Sequence, residues 1–218
     1  MKPKLETGKI YHVANHSVNR DKIFYSGEDY VRMVRGMIFY SQKGNFPKFS
    51  QFLKSKDVRE NNFKKAVDER AEKSIVDIVA YCLTPTHFRF ILKQNEDGAI
   101  SRFVRDFSNS YSRYFNNRHK RKGPLWQGRF KRAEIEMDEL ECVTGYLHLK
   151  PVFDGLVEHP GQWKASSYLE FVDPASIENP ICKYEDILDI DPESYKNLLQ
   201  SGKINRDNLE VDSSKLLN

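Results

Sequence analysis

Apolar positions along the chain alternate in some stretches and recur every three or four residues in others, and these two periods separate strands from helices. GKIYHVANHSV sets Ile10, His12 and Ala14 against Tyr11, Val13 and Asn15, which predicts a first strand followed by a turn at Asn19-Arg20-Asp21. Ser26-Gly27-Glu28-Asp29 supplies cap residues for a helix through YVRMVRGMIFYSQ, where Tyr30, Val34, Met37 and Ile38 share a face. From Gly44 to Ser74 the chain is polar and charged, with a weak helical pattern over Phe63 to Glu72. This reads as an insertion before the next strand. Ile75 to Leu83 and His87 to Lys93 are rich in Val, Ile and Phe, and the short Thr84-Pro85-Thr86 link predicts an antiparallel hairpin. On its second strand Phe88, Phe90 and Leu92 share one face, and His87, Arg89 and Ile91 the other.

Next, AISRFVRDFSNSYSRYFNNRHK carries Phe103, Phe107, Tyr111 and Tyr114 at helical spacing, a stripe suited to the core. Gly123-Pro124 breaks the pattern, and LWQGRFKRAEIEM predicts an extended segment ending in a strand. Asp138 is placed to cap a helix through ELECVTGYLHLK, packed through Leu140, Val143 and Leu147, with Pro151 expected to stop it at Lys150. The order β-α-(insertion)-β-β-α-β-α predicts an α+β fold: an antiparallel sheet with packed helices, related to the ferredoxin-like, split βαβ class. The expected division is a main domain over residues 1–172, with the insertion at about 44–74, and an acidic helical extension over 173–218.

Composition adds limits. A chain of 218 residues, 39% hydrophobic, can bury one sizeable core. It has no run of about 18 uncharged apolar residues, and MKPKLETGKI lacks a signal peptide's apolar centre, so a cytoplasmic protein is expected with no membrane partner. Cys82, Cys142 and Cys182 are odd in number and widely spaced, which argues against a disulfide frame or a structural zinc site. Charge is more informative. Ten Lys or Arg lie between Gly98 and Arg132 against the single acid Asp106, leaving the remainder at −5 in a chain of net charge +4. Such a run is often a solvated helix face, but the RHKRKG tract makes phosphate an attractive partner. Arg102, Arg105 and Arg113 lie off the aromatic stripe and, with Arg118, Lys120, Arg121, Lys122, Arg129 and Lys131, form a candidate DNA-binding set. Trp126 is as well suited to plugging a core edge as to stacking on a base.

Five ordered stretches, YHVANHSVNRDKIF, AYCLTPTHFRFIL, ISRFVRDFSNSYSRYFNNRHKRKGPLWQGRFK, GYLHLKPV and WKASSY, carry a resemblance over about residues 9–172. Together they resemble the single-tyrosine HUH transposases associated with repetitive extragenic palindromes, in the transposase IS200-like class. That resemblance implies cutting and rejoining of single-stranded DNA, often beside a hairpin, through a 5′-phosphotyrosine on Tyr146. It also implies a divalent metal (Mg or Mn) held by two strand histidines and a polar residue on the tyrosine's helix, because a phenol with a pKa near 10 is a weak nucleophile. A homodimer is an open alternative, since related architectures often dimerise.

The motif maps onto His87-Phe88-Arg89: the first histidine is kept, and the second is a guanidinium that cannot ligate a cation. Four residues after the tyrosine stands Lys150, on the same helical face as Tyr146. Three readings follow. Arg89 and Lys150 substitute for the metal's charge and Tyr146 still reacts; or catalysis is lost and a DNA-binding protein without nuclease activity remains; or a metal site is rebuilt from His87 with His12 or His148. Without the resemblance, His87 is an ordinary strand histidine and Tyr146 a core-edge residue.

Overall fold

The computed structural model describes residues 4–202 and 204. In chain order its elements are β1 (Ile10–His16), α1 (Gly27–Tyr40), β2 (Gln42–Gly44), α2 (Phe49–Phe52), α3 (Lys56–Glu60), α4 (Phe63–Asp68), β3 (Ala71–Ser74), β4 (Val76–Thr84), β5 (His87–Gln94), α5 (Ala99–Arg118), β6 (Lys131–Glu134), α6 (Leu140–Phe153), α7 (Tyr168–Val172) and α8 (Pro192–Gln200). The main sheet runs β4-β5-β1-β6, antiparallel throughout. This is the split βαβ order, with β1 seated between the hairpin strand β5 and the last strand β6.

Each face of this sheet has its own cover. Phe88 and Phe90 point towards α5, where their rings meet Phe107 at 5.1 and 5.5 Å, and Phe90 also meets Phe103 at 5.9 Å. All four rings are buried, and truncating one to alanine at such a site costs about 3–5 kcal/mol. Buried Asp29 ties α1 to this layer: its carboxylate accepts from the Tyr25 and Ser26 amides at 2.8 and 3.0 Å and from the Tyr114 hydroxyl at 3.0 Å. The opposite face, bearing His87 and Arg89, is covered by α6.

Several local expectations need correction. Helix α6 has Glu139, not Asp138, at its N-cap, and no side chain caps it. Pro151 does not stop it; the helix continues to Phe153 with the buried proline inside its last turns. The ring's fixed φ suits a helix, and burial of the ring offsets the loss of one amide donor near the C-terminal end. The helical pattern over Phe63 to Glu72 ends earlier, because 71–74 pair with 42–44 as a two-stranded ribbon at the base of the insertion. Above that ribbon Phe39, Phe49, Phe52 and Phe63 form a small aromatic core of their own.

After residue 172 the described chain stays within the main core, to which Tyr184, Tyr195 and Leu199 contribute. Around Gly145 in α6 this packing is close: a Cβ there would require the side-chain ends of Ile204 and Leu199 to shift. The C-terminal residues close over the outer side of α6. As a result the helix is buried almost all round from Thr144 to Pro151 rather than along the one stripe its leucines suggest. Residues 205–218 of the expected extension lie outside the described residues.

Candidate active site and nucleic-acid interface

Strand register brings the polar residues of the α6-facing side into rows. Arg89 lies between Cys82 on β4 and Ala14 on β1, and His87 between Thr84 and His16. Antiparallel partners directly opposite one another point to the same side, so His87, Arg89, His16 and His12 share this face. Tyr146 and Lys150 descend on it from α6 and act electrostatically on the sheet residues, Tyr146 on Arg89 and Lys150 on both His87 and Cys82. The four residues singled out for chemistry therefore converge.

The convergence is dry and cationic. Tyr146 is 6% exposed, Arg89 5% and Lys150 9%. Burial draws the Arg89 guanidinium below its ordinary value against the pull of Cys82, Asp154 and Tyr146, yet a guanidinium keeps its proton, so a buried cation results. Its Nη1 makes no hydrogen bond within the protein, and neither do the two ring nitrogens of His12 or Oγ1 of Thr84 on the same face. Burial, then Arg89, His16, Arg20 and Lys150, push His87 down to about 2. The ring is neutral near pH 7, with Nδ1 2.6 Å from Thr86 Oγ1. Burial and then Arg89 lower His12 to about 3.

Three further residues complete the cluster. Asp154 forms an ion pair with Lys150 and pulls on Arg89, so a carboxylate already answers both cations. His16 lies opposite His87 with ring centroids 5.3 Å apart. Arg20 approaches through a turn in which Asn19 and Arg20 both take positive φ, 55° and 57°, a conformation that side chains other than glycine adopt at a cost. Spacing alone could have flagged Asp154, four residues beyond Lys150. His16 needed the strand register, and Arg20 left no sequence signal.

A divalent metal does not fit this donor set. His87 is a neutral nitrogen donor, but it already contacts Thr86, and Arg89, Arg20 and Lys150 surround it with positive charge. His148 does not assist: it is fully buried, with Nδ1 2.7 Å from the Tyr195 hydroxyl and Nε2 2.7 Å from Ser167 Oγ, a bolt joining α6 to α8 and to the start of α7. His12 lies beside Arg89 with no carboxylate partner. Among the described residues no group of three or more His, Cys, Asp or Glu side chains is placed to hold a metal ion.

The basic set divides in space. Arg105, Trp126, Arg129 and Lys131 line one groove of about 1170 Å³ between α5 and the 123–132 segment, joined there by Arg132. Arg102 pairs with Glu96, which Lys73 also reaches at 2.7 Å, and Arg118 pairs with Glu28 at 2.7 Å. Arg121 braces its own turn, donating to the Pro124 carbonyl at 2.8 Å. Arg113, Lys120 and Lys122 are exposed. Trp126 packs edge-on against Phe88 at 5.0 Å and donates from Nε1 to the Ser108 carbonyl at 3.3 Å, so it forms a wall of the groove.

Sequence comparison accounts for much of this arrangement. Residues 46–150, which include His87, Arg89, Tyr146 and Lys150, match the family model described as transposase IS200 like. The matched span crosses the insertion and ends at Lys150, while β1 and α1 precede it. A solved structure of a REP-associated tyrosine transposase bound to a REP hairpin has the same fold: TM-score 0.52, 17% identity, 88% of this chain and 94% of that one covered. No curated protein matches the chain. Among the described residues, no helix is long and apolar enough to cross a membrane.

Proposed function

We propose that the protein acts on single-stranded or hairpin DNA, and that Tyr146 cleaves and rejoins a strand with Arg89 and Lys150 in place of the family's metal. The observation carrying this reading is the meeting of Tyr146 and Lys150 on α6 with Arg89 and the half-buried His87 on β5 in a single cluster. The family-model match and the fold shared with a hairpin-bound transposase support DNA as the partner. In the cleavage step the Tyr146 oxygen bonds to phosphorus and gives up its proton, and the bond from phosphorus to the 3′ oxygen breaks. That oxygen takes up a proton, and the 5′ phosphate stays on the tyrosine. Fixed cations at low dielectric stabilise the charge that develops on the phosphoryl oxygens without reorganising during the step. Arg89 Nη1 is a free donor for such an oxygen.

A second reading, binding without cleavage, is favoured by the 6% exposure of Tyr146 and by the carboxylate already on the cations. One experiment separates the two. The full chain is incubated with a hairpin oligonucleotide carrying single-stranded flanks, and covalent adduct is resolved on a denaturing gel. The cleavage reading expects an adduct that survives a chelator and disappears in Tyr146→Phe. Retention of DNA without any adduct, with or without added divalent metal, assigns binding alone.

A further inference from the structure

A second groove lies on the other side of the sheet from the Tyr146 cluster. Tyr81 stands opposite Phe90 in the β4–β5 ladder, so its side chain points away from the face that carries Arg89. Around it α1, Phe63 of α4 and residues 162–165 line a groove of about 650 Å³, a volume in the range of small-molecule sites. Bonds to the edge strand fix one wall: Trp163 donates from Nε1 to the Leu83 carbonyl at 2.8 Å, and the Leu83 amide donates to the Ala165 carbonyl at 2.8 Å. The Trp163 ring meets Tyr30 of α1 edge-on at 6.0 Å, which joins that wall to the helix. No residue of this groove lines the one between α5 and the 123–132 segment.

The lining combines two kinds of chemistry. Tyr30, Val34, Phe63 and Trp163 make it apolar, and Val31, 49% exposed, carries that surface out to solvent. Its charged residues, Arg35 and Lys164, are both cations, and neither has a carboxylate partner among the described residues. Arg35 lies over the Phe63 ring at 5.4 Å, and Lys164 is exposed. Tyr81 is 6% exposed, and among the described residues neither its hydroxyl nor that of Tyr30 makes a hydrogen bond. Burial, then Cys82 and Asp29, pushes Tyr30 up to about 12, and burial, then Glu170, holds Tyr81 well above its ordinary value. Both phenols are therefore neutral near pH 7 and able to donate.

An apolar groove gains by taking up an apolar body, because both surfaces then leave water. Two cations without carboxylates and two phenols without acceptors add a demand for negative charge, and a carboxylate meets it, since hydrogen bonds to an ionised acceptor are the strong ones. One compact ligand supplies both parts. We propose that this groove binds a small organic acid, an acyl chain or aromatic ring bearing one carboxylate, with its apolar body against Tyr30, Val34 and Trp163 and its carboxylate drawn to Arg35 and Lys164. The site shares no residue with the Tyr146 cluster, so it rests neither on DNA as the partner nor on cleavage.

Anilinonaphthalenesulfonate, an apolar aromatic anion whose fluorescence rises when it leaves water, is the probe, titrated into the full folded chain. Decanoate and decanol compete with it; they share a tail and differ in charge. The site predicts one probe per chain, displaced by decanoate at concentrations where decanol does little. Val31→Glu and Val31→Lys, at an exposed position on the rim, should move decanoate affinity in opposite directions, about threefold down and about threefold up, as expected of an exposed charge pair. Arg35→Gln should lower it about tenfold, the loss of one hydrogen bond to a charged group. Weak probe binding at many sites, equal displacement by decanoate and decanol, or the same response to both Val31 variants overturns the site. Displacement of the probe by a single-stranded oligonucleotide also overturns it, since the groove would then be part of a nucleic-acid surface.

Discussion

Asp154 is the residue on which the cation cluster depends in the absence of DNA. Lys150, with a side chain 11% exposed, and Arg89, 5% exposed, are like charges held largely out of water, and the Asp154 carboxylate, 30% exposed, answers them. Replacing Asp154 by Asn keeps the shape and removes the charge. A contact pair at an effective dielectric of about 20 is worth about 4 kcal/mol before desolvation, and breaking a buried pair from one side costs about 3–5 kcal/mol. Because Asp154 retains partial access to water, a loss of about 2–3 kcal/mol is expected, a fall of about 1 M or more in urea midpoint at typical slopes. The same variant should accept an external anion where the carboxylate was. Urea melts in millimolar phosphate, compared with chloride at equal ionic strength, should recover much of the loss in Asp154→Asn and little in the wild type, as linkage to a ligand of the folded state requires. In the covalent assay the variant should form adduct faster, since the scissile phosphate no longer displaces a carboxylate. A loss below about 0.5 kcal/mol, typical of a surface pair, or equal phosphate stabilisation of both proteins, would refute the reasoning.

Acid should act through the buried histidines. His12 and His148 are both lowered to about 3, His12 by burial and then Arg89, His148 by burial alone, so the unfolded chain takes up protons below about pH 6.5 that the folded chain refuses. Stability is therefore present above that pH and is lost as pH falls from 6.5 towards 3, by about 1 kcal/mol per histidine at pH 5.5; urea titrations at pH 7.5 and 5.5 measure it, and equal midpoints would contradict the burial. Arg89→His combined with Lys150→Asn replaces two cations with metal-competent groups and should bind Mn²⁺ detectably in calorimetry. The absence of heat would mean that Arg20 and the wider arrangement, rather than these two positions, exclude the metal.

The strand hairpin, the aromatic helix α5 and the order of elements were legible because each depends on local period. Alternation in HFRFIL places Phe88 and Phe90 on one face and His87 and Arg89 on the other wherever the strand sits. The basic run was legible in number but not in use. Arg102, Arg105, Arg118 and Arg121 found partners on Glu96, Asp106, Glu28 and the Pro124 carbonyl, while Arg105 and Arg129 both line a groove that exists only when the 123–132 segment lies along β1. The end of α6 differs from the local expectation because Pro151 is buried in the last turns of a helix enclosed almost all round by the folded chain.

By itself, then, the sequence determined the α+β layers, the pairing of His87 with Arg89, the helical spacing of Tyr146 and Lys150, and the match of residues 46–150 to the IS200-like transposase model. All of these are properties of short stretches or of their order. The tertiary structure alone decided that His16 and Arg20 join the cluster, that Trp126 forms a wall of the groove, and that a carboxylate answers the cations. Which charges end up together, and how far from water, depends on strand register and on what packs over each face, and neither is written in any one segment of the chain.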